Sequence, residues 1–456
     1  MLDILRSIDF LFLEDMKRKF FGFFFFTSFF LPLCLVAQDS LFLSREACEA
    51  IFLEHNLALM AQKMNIDVAE AKVIQAGLWP NPTLEIEEVN LWTATRGVNN
   101  LNYFGDELPG FGGGQFGKNQ QISISIEQLI LTAGKRKKLV AMEEVSVEKS
   151  KQYFEEILRH LKLGFRQMMT NLQYFHISKS NYENQRQSIS QLVRAIERQV
   201  ENGHIPRGEW IRLKAVELEI LRHLHELNNE IHEVQKELRQ LMHLPAHTYL
   251  IIDQENFTSI PPLLPVFHLD DLIEEAKIRR PDLQSSLLEQ QYYDHLYEYE
   301  KAQRVPNLTL KAGYDRGGNF MYNFLGMGLS IDLPLFARNQ GNIQAARIGR
   351  LQSQIIKQEK EHTVENEIFL AYQNLLQAIG FLEDIEVGYE NSLEDTLERY
   401  TENFVNRNIS LLEYLDYLEA YLDNKNILLE ARKELLEKVE ELNYTVGREV
   451  VRINGN

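Results

Sequence analysis

The chain reads Trp79-Pro80-Asn81-Pro82-Thr83-Leu84 in its first half and Val305-Pro306-Asn307-Leu308-Thr309-Leu310 in its second half. The two copies stand 226 positions apart (306 − 80 = 226). A Pro-Asn pair followed by alternating polar and apolar residues is typical of the entry into a β-strand. Because this strand-entry motif occurs twice, the sequence predicts two structural repeats.

The same distance relates the helical stretches that precede the two strand entries. Ala50 and the segment His55-Asn56-Leu57 correspond, 226 positions later, to Ala276 and Pro281-Asp282-Leu283. Independent point changes do not preserve both a motif and its distance from a second motif. The sequence therefore predicts that each repeat opens with a helix that leads into its strand in the same way.

A long helix follows the first pair of strands. Between Ala141 and Glu201 there is no proline and a single glycine, which predicts a helical rod of roughly 90 Å. After a break at Gly203 and Pro206, apolar residues recur every three or four positions, as in a coiled-coil seam. These residues are Leu213, Val216, Ile220, Leu224, Leu227, Ile231, Val234, Leu238 and Leu241. The predicted element is a pair of antiparallel helices joined by a tight turn.

The second half repeats this helical hairpin. A helical stretch runs from 342 to 404, a break follows at Asn406-Arg407-Asn408, and an apolar stripe then begins. The stripe consists of Leu411, Leu415, Leu418, Leu422, Leu429, Leu436 and Val439. Glu209 after the first turn corresponds to Glu413 after the second, at a distance of 204 (413 − 209 = 204). The tips of the two helical hairpins are therefore duplicated as well.

The strands show apolar and polar residues in alternation, so each has one apolar face. The apolar positions are Ile122, Ile124 and Ile126, then Leu308, Leu310, Ala312 and Tyr314, and finally Met327, Leu329, Ile331 and Leu333. The stretch from Thr83 to Trp92 alternates less cleanly. We expect two β-hairpins, with loops rich in Gly and Asn at about 94 to 118 and 316 to 325.

These patterns divide the chain into successive segments. The predicted segments are a signal peptide at 1–37, a first repeat at 38–242 (β-hairpin 82–129, helical hairpin 141–242), a linker at 243–268, a second repeat at 269–445 (β-hairpin 306–336, helical hairpin 342–445) and a tail at 446–456. The fold class is mainly α with a small β part.

The N-terminus has the form of an export signal. Met16-Lys17-Arg18-Lys19 precedes an apolar run from Phe20 to Val36, and Ala37 is followed by polar residues. We predict translation from Met16 and cleavage after Ala37. Cys34 lies in a poor lipoprotein context, and the alternative that the run is a membrane anchor is disfavoured by its modest length and polar exit.

Composition excludes several classes of function. The net charge is −18 and no segment gathers Lys and Arg into a stripe, which argues against a nucleic-acid partner. Only Cys48 would remain after signal cleavage, so neither a disulfide framework nor a thiolate metal site is expected. The chain has no phosphate-binding Gly loop, no HExxH and no Gly-x-Ser-x-Gly turn. We predict no enzyme activity, no cofactor and no resident metal.

The strand pairs need a partner that buries them. Strands of about ten residues with one apolar face, flanked by aromatic residues, are typical of an outer-membrane barrel. The flanking aromatics are Trp79, Trp92, Tyr103, Phe104, Phe320, Tyr322 and Phe324. Four strands cannot close a barrel, and lipid does not tolerate an open edge, so the barrel must be shared between chains. The alternative is a small soluble sheet that caps a coiled coil.

The sequence resembles the TolC-like outer-membrane efflux proteins over essentially the whole mature chain. The resemblance rests on Ala76-Gly77-Leu78-Trp79-Pro80-Asn81-Pro82, on Ser125-Ile126-Glu127-Gln128 continuing to Gly134-Lys135-Arg136, and on Arg279-Arg280-Pro281-Asp282-Leu283. It implies a homotrimer in which twelve strands form one barrel in outer-membrane lipid and the helical hairpins form a periplasmic α-barrel. It further implies a passive exit duct that works with a periplasmic adaptor (a membrane fusion protein) and an inner-membrane pump of the resistance-nodulation-division type.

The resemblance also implies roles for the hairpin tips. Glu413 and Asp416 take the position of the acidic residues that line the periplasmic aperture, and a ring of carboxylates favours cations. The alternative for this pair is a solvated face of a coiled coil. The residues expected to dock the adaptor are Asn202, Gly203, His204, Ile205, Pro206, Arg407, Asn408, Ile409, Ser410 and Leu411, for which simple helix termination is the other explanation.

The exported substrate is the least constrained property. The Pro-Asn-Pro strand entry, Glu85, Glu87, Glu88 and Gln128 resemble the cobalt-zinc-cadmium and copper-silver resistance branch of the family. Heavy-metal cation efflux is therefore expected, with export of drugs or other small molecules as the alternative. A soluble periplasmic coiled-coil adaptor or scaffold is the alternative from a different class.

Overall fold

The computed structural model describes residues 40–92, 116–254, 257, 268–316, 323–385 and 388–451, and at 88–92 and 116–121 it describes the backbone alone. The predicted signal peptide, including Met16 and Cys34, lies outside these residues. So do most of the two predicted Gly- and Asn-rich loops, part of the predicted linker and the last five residues. Tyr103, Phe104, Phe320 and Tyr322 of the predicted aromatic girdle also lie outside them.

The described elements follow one another in two similar sets. In the first repeat they are β1 (Ser40–Leu43), α1 (Arg45–His55), α2 (Leu57–Gly77), β2 (Thr83–Trp92), β3 (Phe116–Ile130), α3 (Lys135–Glu201) and α4 (Arg207–Leu241). In the second they are β4 (Tyr249–Ile252), α5 (Leu269–Arg279), α6 (Pro281–Gln303), β5 (Leu308–Arg316), β6 (Asn323–Ile331), α7 (Gln340–Glu383), α8 (Tyr389–Val405) and α9 (Leu411–Val446). The mainly helical fold with a small β part is as predicted.

The helix that opens each repeat is divided into two. Helices α1 and α5 each have 11 residues, whereas α2 has 21 and α6 has 23. The buried Phe52 of α1 occupies the place that Ala276 occupies in α5, a distance of 224 (276 − 52 = 224). The predicted correspondence of Ala50 with Ala276 is therefore wrong, because Ala50 is exposed and the two extra residues lie in α6. The distance of 226 holds only for the strand entries.

The first helical hairpin matches its prediction. Helix α3 has 67 residues, which at 1.5 Å per residue makes it about 100 Å long. It packs against α2, α4, α6 and α9. Buried apolar residues of α3, α4, α8 and α9 form one continuous cluster toward the tips, which includes Ile189, Leu213, Leu393 and Leu418.

The second helical hairpin differs from its prediction in one respect. The expected helix from 342 to 404 is interrupted, because α7 ends at Glu383 and α8 begins at Tyr389. Gly388 at the N-cap of α8 has φ +86°, a left-handed conformation that glycine adopts without steric cost. The composition of the stretch still favours helix, which is why this interruption was missed.

The strands pair in the order β2-β3-β5-β6, with β3 and β5 antiparallel to each other. The two expected hairpins are therefore joined into one antiparallel sheet. The predicted alternation is present: Leu84 is 64% exposed, Leu325 79% and Met327 92%, all on one face. Strand β6 ends at Ile331, so Leu333 lies beyond it. Within the described residues β2 and β6 have no outer partner, and the sheet is open at both edges.

The predicted linker contains an unexpected strand. Tyr249–Ile252 forms β4, which pairs in parallel with β1 at the start of the first repeat. The side chain of Gln235 in α4 holds this strand, because it donates to the carbonyl oxygen of Leu250 at 2.6 Å and accepts from its amide at 2.9 Å. The segment between the repeats is thus fixed to the body of the molecule at this point.

Candidate functional site at the hairpin tips

Both tips turn in the same way. After α3, the amide of His204 donates to the carbonyl of Gln199 and that of Gly203 donates to Val200. After α8, Asn408 donates to Asn403 and Arg407 to Phe404 at matching positions, 204 residues later. Each pair of bonds forms a Schellman motif, which ends a helix with one left-handed residue. The duplicated tips predicted from the sequence are therefore the same turn used twice.

The left-handed position is filled differently in the two turns. Gly203 has φ +77° and Arg407 has φ +62°. The arginine pays a steric cost for this conformation that the glycine avoids. Its guanidinium Nη2 donates to Oε1 of Gln199 at 2.6 Å, which links the second tip to the first.

The two tips enclose a cavity of about 300 Å³. Its lining includes several of the residues predicted for adaptor docking, namely His204, Ile205, Pro206, Arg407, Ile409, Ser410 and Leu411. Leu411 is buried, Ile205 and Ile409 are half-buried, and the other predicted docking residues are exposed. The structure thus brings the two predicted tip segments together into one surface, with polar groups outside and an apolar floor.

The second turn leads into α9 through a capping box. The Oγ of Ser410 accepts from the amide of Glu413 at 3.3 Å, and Oε2 of Glu413 accepts from the Ser410 amide at 2.8 Å. These hydrogen bonds from the Ser410 backbone and side chain lower the pKa of the Glu413 carboxyl. Sequence reasoning missed this role, although Ser-x-x-Glu ahead of an apolar run is its usual signal.

Glu413 and Asp416 lie on the exposed side of α9, away from the seam of the hairpin. The seam at this level is formed by Leu411, Tyr414 and Leu418, each under 7% exposed. The corresponding positions of α4 are Glu209 and Arg212, so the first tip carries no second carboxylate there. The aperture ring remains a prediction.

Aromatic residues hold the second tip, and the predicted leucine stripe did not include them. Tyr414 stacks on Phe404 at 5.0 Å between ring centroids, and Tyr417 stacks on Tyr400 at 4.3 Å. Leu415 and Leu422 of the predicted stripe are only half-buried. The seam follows the spacing of Tyr414 and Tyr421, seven residues apart, which could have been found by counting aromatic residues together with the leucines.

A charge cluster ties α8 to α9 just beyond the interruption. The ammonium of Lys425 lies 2.8 Å from a carboxylate oxygen of Glu390 and 2.6 Å from one of Glu394, and Arg432 lies 2.6 Å from Glu390. Burial would lower the pKa of Lys425, but the two carboxylates outweigh this effect and raise it. Nothing in the sequence pattern singled out these residues.

In the residues that the structure describes, no three His, Cys, Asp or Glu side chains are placed to hold a metal ion. No helix in the described ranges is long and apolar enough to cross a bilayer.

The fold has known counterparts among solved structures. The chain aligns with CusC, described in connection with transmembrane channel formation, at 16% identity and a TM-score of 0.67 over 88% of this chain and 92% of CusC. It aligns with the open-state outer membrane channel MtrE of Neisseria gonorrhoeae at 13% identity and a TM-score of 0.68 over 88% of each chain. For VceC, an outer membrane protein of Vibrio cholerae, the identity is 15% and the TM-score 0.66 over 88% and 95%. The architecture is thus that of the outer-membrane channel fold.

The family is indicated by the sequence of the second repeat. Residues 272–448 match the family described as outer membrane efflux protein, a range that includes β5, β6 and the second tip. This match agrees with the resemblance to the TolC-like outer membrane efflux proteins seen in the sequence, over the second repeat. No curated protein sequence matches the chain at a significant level.

Proposed function

We propose that this chain is the subunit of an outer-membrane efflux channel, a passive exit duct in a tripartite export system. The observation that carries the proposal is a sheet that, within the described residues, has an exposed apolar face and two open edges and is continued by the helix α3 of about 100 Å. Lipid would cover the apolar face, and neighbouring copies would pair the edges. The family match of the second repeat supports the same conclusion.

The proposed assembly is a homotrimer. Strands β2 and β6 run in opposite directions in the sheet, so β6 of one copy can pair in antiparallel fashion with β2 of the next. Repeating this contact around an axis closes a ring without a free edge, which is the condition for a barrel in lipid. Three copies would supply twelve strands, a size within the range of known barrels.

The proposed partners meet the channel at its periplasmic tips. A membrane fusion protein would bind the surface built from 202–206 and 407–411, and it would connect the duct to an inner-membrane pump of the resistance-nodulation-division type. The apolar floor at Ile205, Ile409 and Leu411 with polar groups around it has the composition of an interaction patch.

We propose heavy-metal cations as the exported substrate, with Glu413 and Asp416 as a carboxylate ring at the aperture. Export of drugs or other small molecules is the alternative. To choose between them, the gene is deleted and sensitivity to zinc, cobalt, cadmium, copper and hydrophobic drugs is compared with that of the parent strain. Hypersensitivity to metals alone supports the proposal, whereas hypersensitivity to drugs alone would contradict it.

The channel itself is tested in the outer-membrane fraction. We expect a detergent-resistant oligomer whose electrophoretic mobility changes on heating. A monomer recovered in the soluble periplasm would instead indicate the coiled-coil adaptor or scaffold class.

The aperture ring is tested with variants that separate charge from capping. Glu413→Gln with Asp416→Asn removes the charge but keeps a residue that can complete the capping box. Ser410→Ala removes the cap but keeps both carboxylates. If the ring lines the pore, the first variant lowers the cation selectivity of the reconstituted channel and Ser410→Ala does not. Unchanged selectivity in the double variant counts against the ring.

A further inference from the structure

Basic residues outnumber acidic ones in the segments where the strands meet the helices, although the whole chain is acidic. The four junctions at 77–83, 131–138, 301–307 and 332–340 contain a single acidic residue, Asp332. They contain the basic residues Lys135, Arg136, Lys137, Lys138, Lys301, Arg304 and Arg338. These four segments therefore carry a net positive charge although the whole chain carries a net charge of −18.

Part of this charge is neutralised or occupied within the chain. Glu298, one turn before the third junction, lies 3.5 Å from Lys138 and 3.0 Å from Lys301. Lys135 is buried and donates to the carbonyl oxygen of Val305 at 2.7 Å and to Oδ1 of Asn307 at 2.6 Å. These contacts fasten the first repeat to the strand entry of the second.

The remaining basic side chains of the junctions have no carboxylate partner in the described residues. Arg136, Lys137, Arg304 and Arg338 form no ion pair within the part of the chain that the structure describes. Lys137, Arg304 and Arg338 are exposed. A cation without an internal partner is free to bind an external anion.

A small pocket lies among these junctions. It has a volume of about 200 Å³ and is bordered by Trp79, Arg136 and Tyr299 among others. The guanidinium carbon of Arg136 stands 4.2 Å from the Trp79 ring centroid, and Nη1 donates to the carbonyl oxygen of Gly77 at 3.1 Å. The pocket thus combines a positioned cation with an amphipathic ring that is 57% exposed.

Apolar side chains border the cations on the strand side. Leu78, Val305, Leu333, Leu335 and Phe336 are all exposed, and Phe336 is 92% exposed. In the sequence they stand within a few residues of the strand ends. Apolar side chains, a tryptophan and cations thus occur together near the strand ends. In a bilayer leaflet these residue types match the acyl chains, the interface and the headgroups, respectively.

We infer that these junctions bind the phosphate headgroups of the periplasmic leaflet, with a preference for anionic phospholipid. Arg136 and Trp79 form one headgroup-binding site. The exposed cations Lys137, Arg304 and Arg338 add a positive potential around it that attracts anionic headgroups. This inference rests on the proposed outer-membrane function, because it requires the sheet to lie in lipid. It assigns the depth at which the channel sits and the lipid that holds it there.

The depth is tested by quenching of single tryptophans in the reconstituted full chain. The chain has three tryptophans, Trp79, Trp92 and Trp210. Each is kept alone by changing the other two to Phe, and vesicles contain phosphatidylcholine brominated near the glycerol end or near the methyl end of the acyl chain. We expect Trp79 to be quenched more by the shallow label than by the deep one and Trp210 to be quenched by neither.

The outcomes separate the two proposals. If Trp92 in β2 is quenched but Trp79 is not, the sheet lies in lipid and only the headgroup inference fails. If neither is quenched, the proposed membrane function fails together with it. Stronger quenching of Trp79 by the deep label also overturns the inference, because the junction would then lie within the acyl region.

The lipid preference is tested with charge variants in the background that keeps only Trp79. Quenching by brominated phosphatidylglycerol is compared with quenching by brominated phosphatidylcholine, which reports the composition of the lipid around Trp79. Lys137→Gln, Arg304→Gln and Arg338→Gln together should lower the preference for phosphatidylglycerol roughly tenfold. The matched control removes three exposed cations from α3 and α4 with Arg194→Gln, Arg222→Gln and Lys236→Gln.

The effect of high salt tests the same lipid preference in a protein that keeps all its basic residues. Screening should reduce the phosphatidylglycerol preference in the background that keeps only Trp79, since it weakens contacts between exposed charges. A preference that is absent at low salt, or that the junction and control variants change equally, overturns the inference.

Discussion

Single residues explain why α6 begins at the sequence Arg279-Arg280-Pro281-Asp282. Arg280 is 2% exposed, and its guanidinium contacts Asp282 at 2.6 Å and Glu367 at 2.7 Å. It also donates to the carbonyl oxygen of Thr445 at 3.2 Å, near the end of α9. One arginine thus fastens the start of α6 to α7 and to the C-terminal end of α9.

Asp282 is the partner on which this cluster depends. Burial would raise the pKa of its carboxyl, but hydrogen bonds from Arg280 and Lys360 outweigh that effect and hold the pKa far below the ordinary value. A carboxyl with a depressed folded-state pKa stabilises the fold above its unfolded pKa of about 3.9. That contribution is lost as the pH falls below this value toward the folded-state pKa.

Asp282→Asn should therefore lower the free energy of unfolding by about 3 kcal/mol at neutral pH, because it leaves a buried guanidinium without its main partner. The variant should also lose less stability than the wild type between about pH 4 and pH 2. Denaturant unfolding of the solubilised protein over a pH series measures both effects. The control is Asp294→Asn, which breaks a half-exposed pair with Arg350 and should cost less than about 1 kcal/mol. Equal losses in the two variants would contradict the account.

Gly349 is required by a close approach between helices. A Cβ at this position of α7 would stand 2.6 Å from Cδ1 of Tyr293 in α6 and closer still to Cε1. Gly349→Ala should therefore cost about 1–3 kcal/mol through displacement of the tyrosine ring. Gly341→Ala in the same helix meets nothing within 4 Å and should be neutral or slightly stabilising. Thermal unfolding of the two variants gives the comparison, and a harmless Gly349→Ala would show that the ring moves freely.

At the scale of elements, the repeats share turns and differ in helices. Both tips use a Schellman motif, yet α3 is continuous and its counterpart is split into α7 and α8. The charge cluster at Lys425 fastens the beginning of α8 to α9. The second hairpin therefore has an additional joint about five turns from its tip, at the distance given by the length of α8.

The turn geometry predicts unequal effects of the same substitution in the two tips. Gly203→Ala places a Cβ on a left-handed residue and should cost about 1 kcal/mol. Arg407→Ala replaces a residue that already carries a Cβ there, so it should lose only the exposed bond to Gln199, worth less than about 1 kcal/mol. Hydrogen exchange of the tip amides compares the two. The prediction is contradicted if Arg407→Ala speeds amide exchange at the second tip more than Gly203→Ala speeds it at the first tip.

At the scale of the whole molecule, the exposed apolar face of the sheet gives a test of the proposed membrane location. Met327 and Ser330 are on opposite faces of β6, three residues apart. Met327→Arg should abolish assembly of the heat-modifiable oligomer, because a charge on the lipid face costs about 2–4 kcal/mol near the middle of the membrane. Ser330→Arg adds the same charge on the polar face and should be tolerated. Normal assembly of Met327→Arg would mean that this face does not meet lipid.

Much of this architecture could be predicted because it is written in local patterns. The Pro-Asn strand entries, the alternation in β3, β5 and β6, and the Gly203 and Arg407 turns all depend on residues within a few positions of each other. Boundaries that depend on distant contacts could not be predicted. The strand β4 exists because it pairs with β1, and the two-residue difference between α2 and α6 is visible only once Phe52 and Ala276 are seen in equivalent buried places.

The candidate site divides in the same way. The sequence alone determined the two repeats and the hairpin tips, since periodicity and spacing carry that information along one chain. The aperture role of Glu413 and Asp416 came from the resemblance to a family and stays a prediction. Only the tertiary structure decided that Arg407 reaches Gln199, that Tyr414 rather than Leu415 forms the seam, and that Arg136 lies over the ring of Trp79. These are contacts between segments far apart in sequence, and their energies depend on burial and distance that no local pattern records.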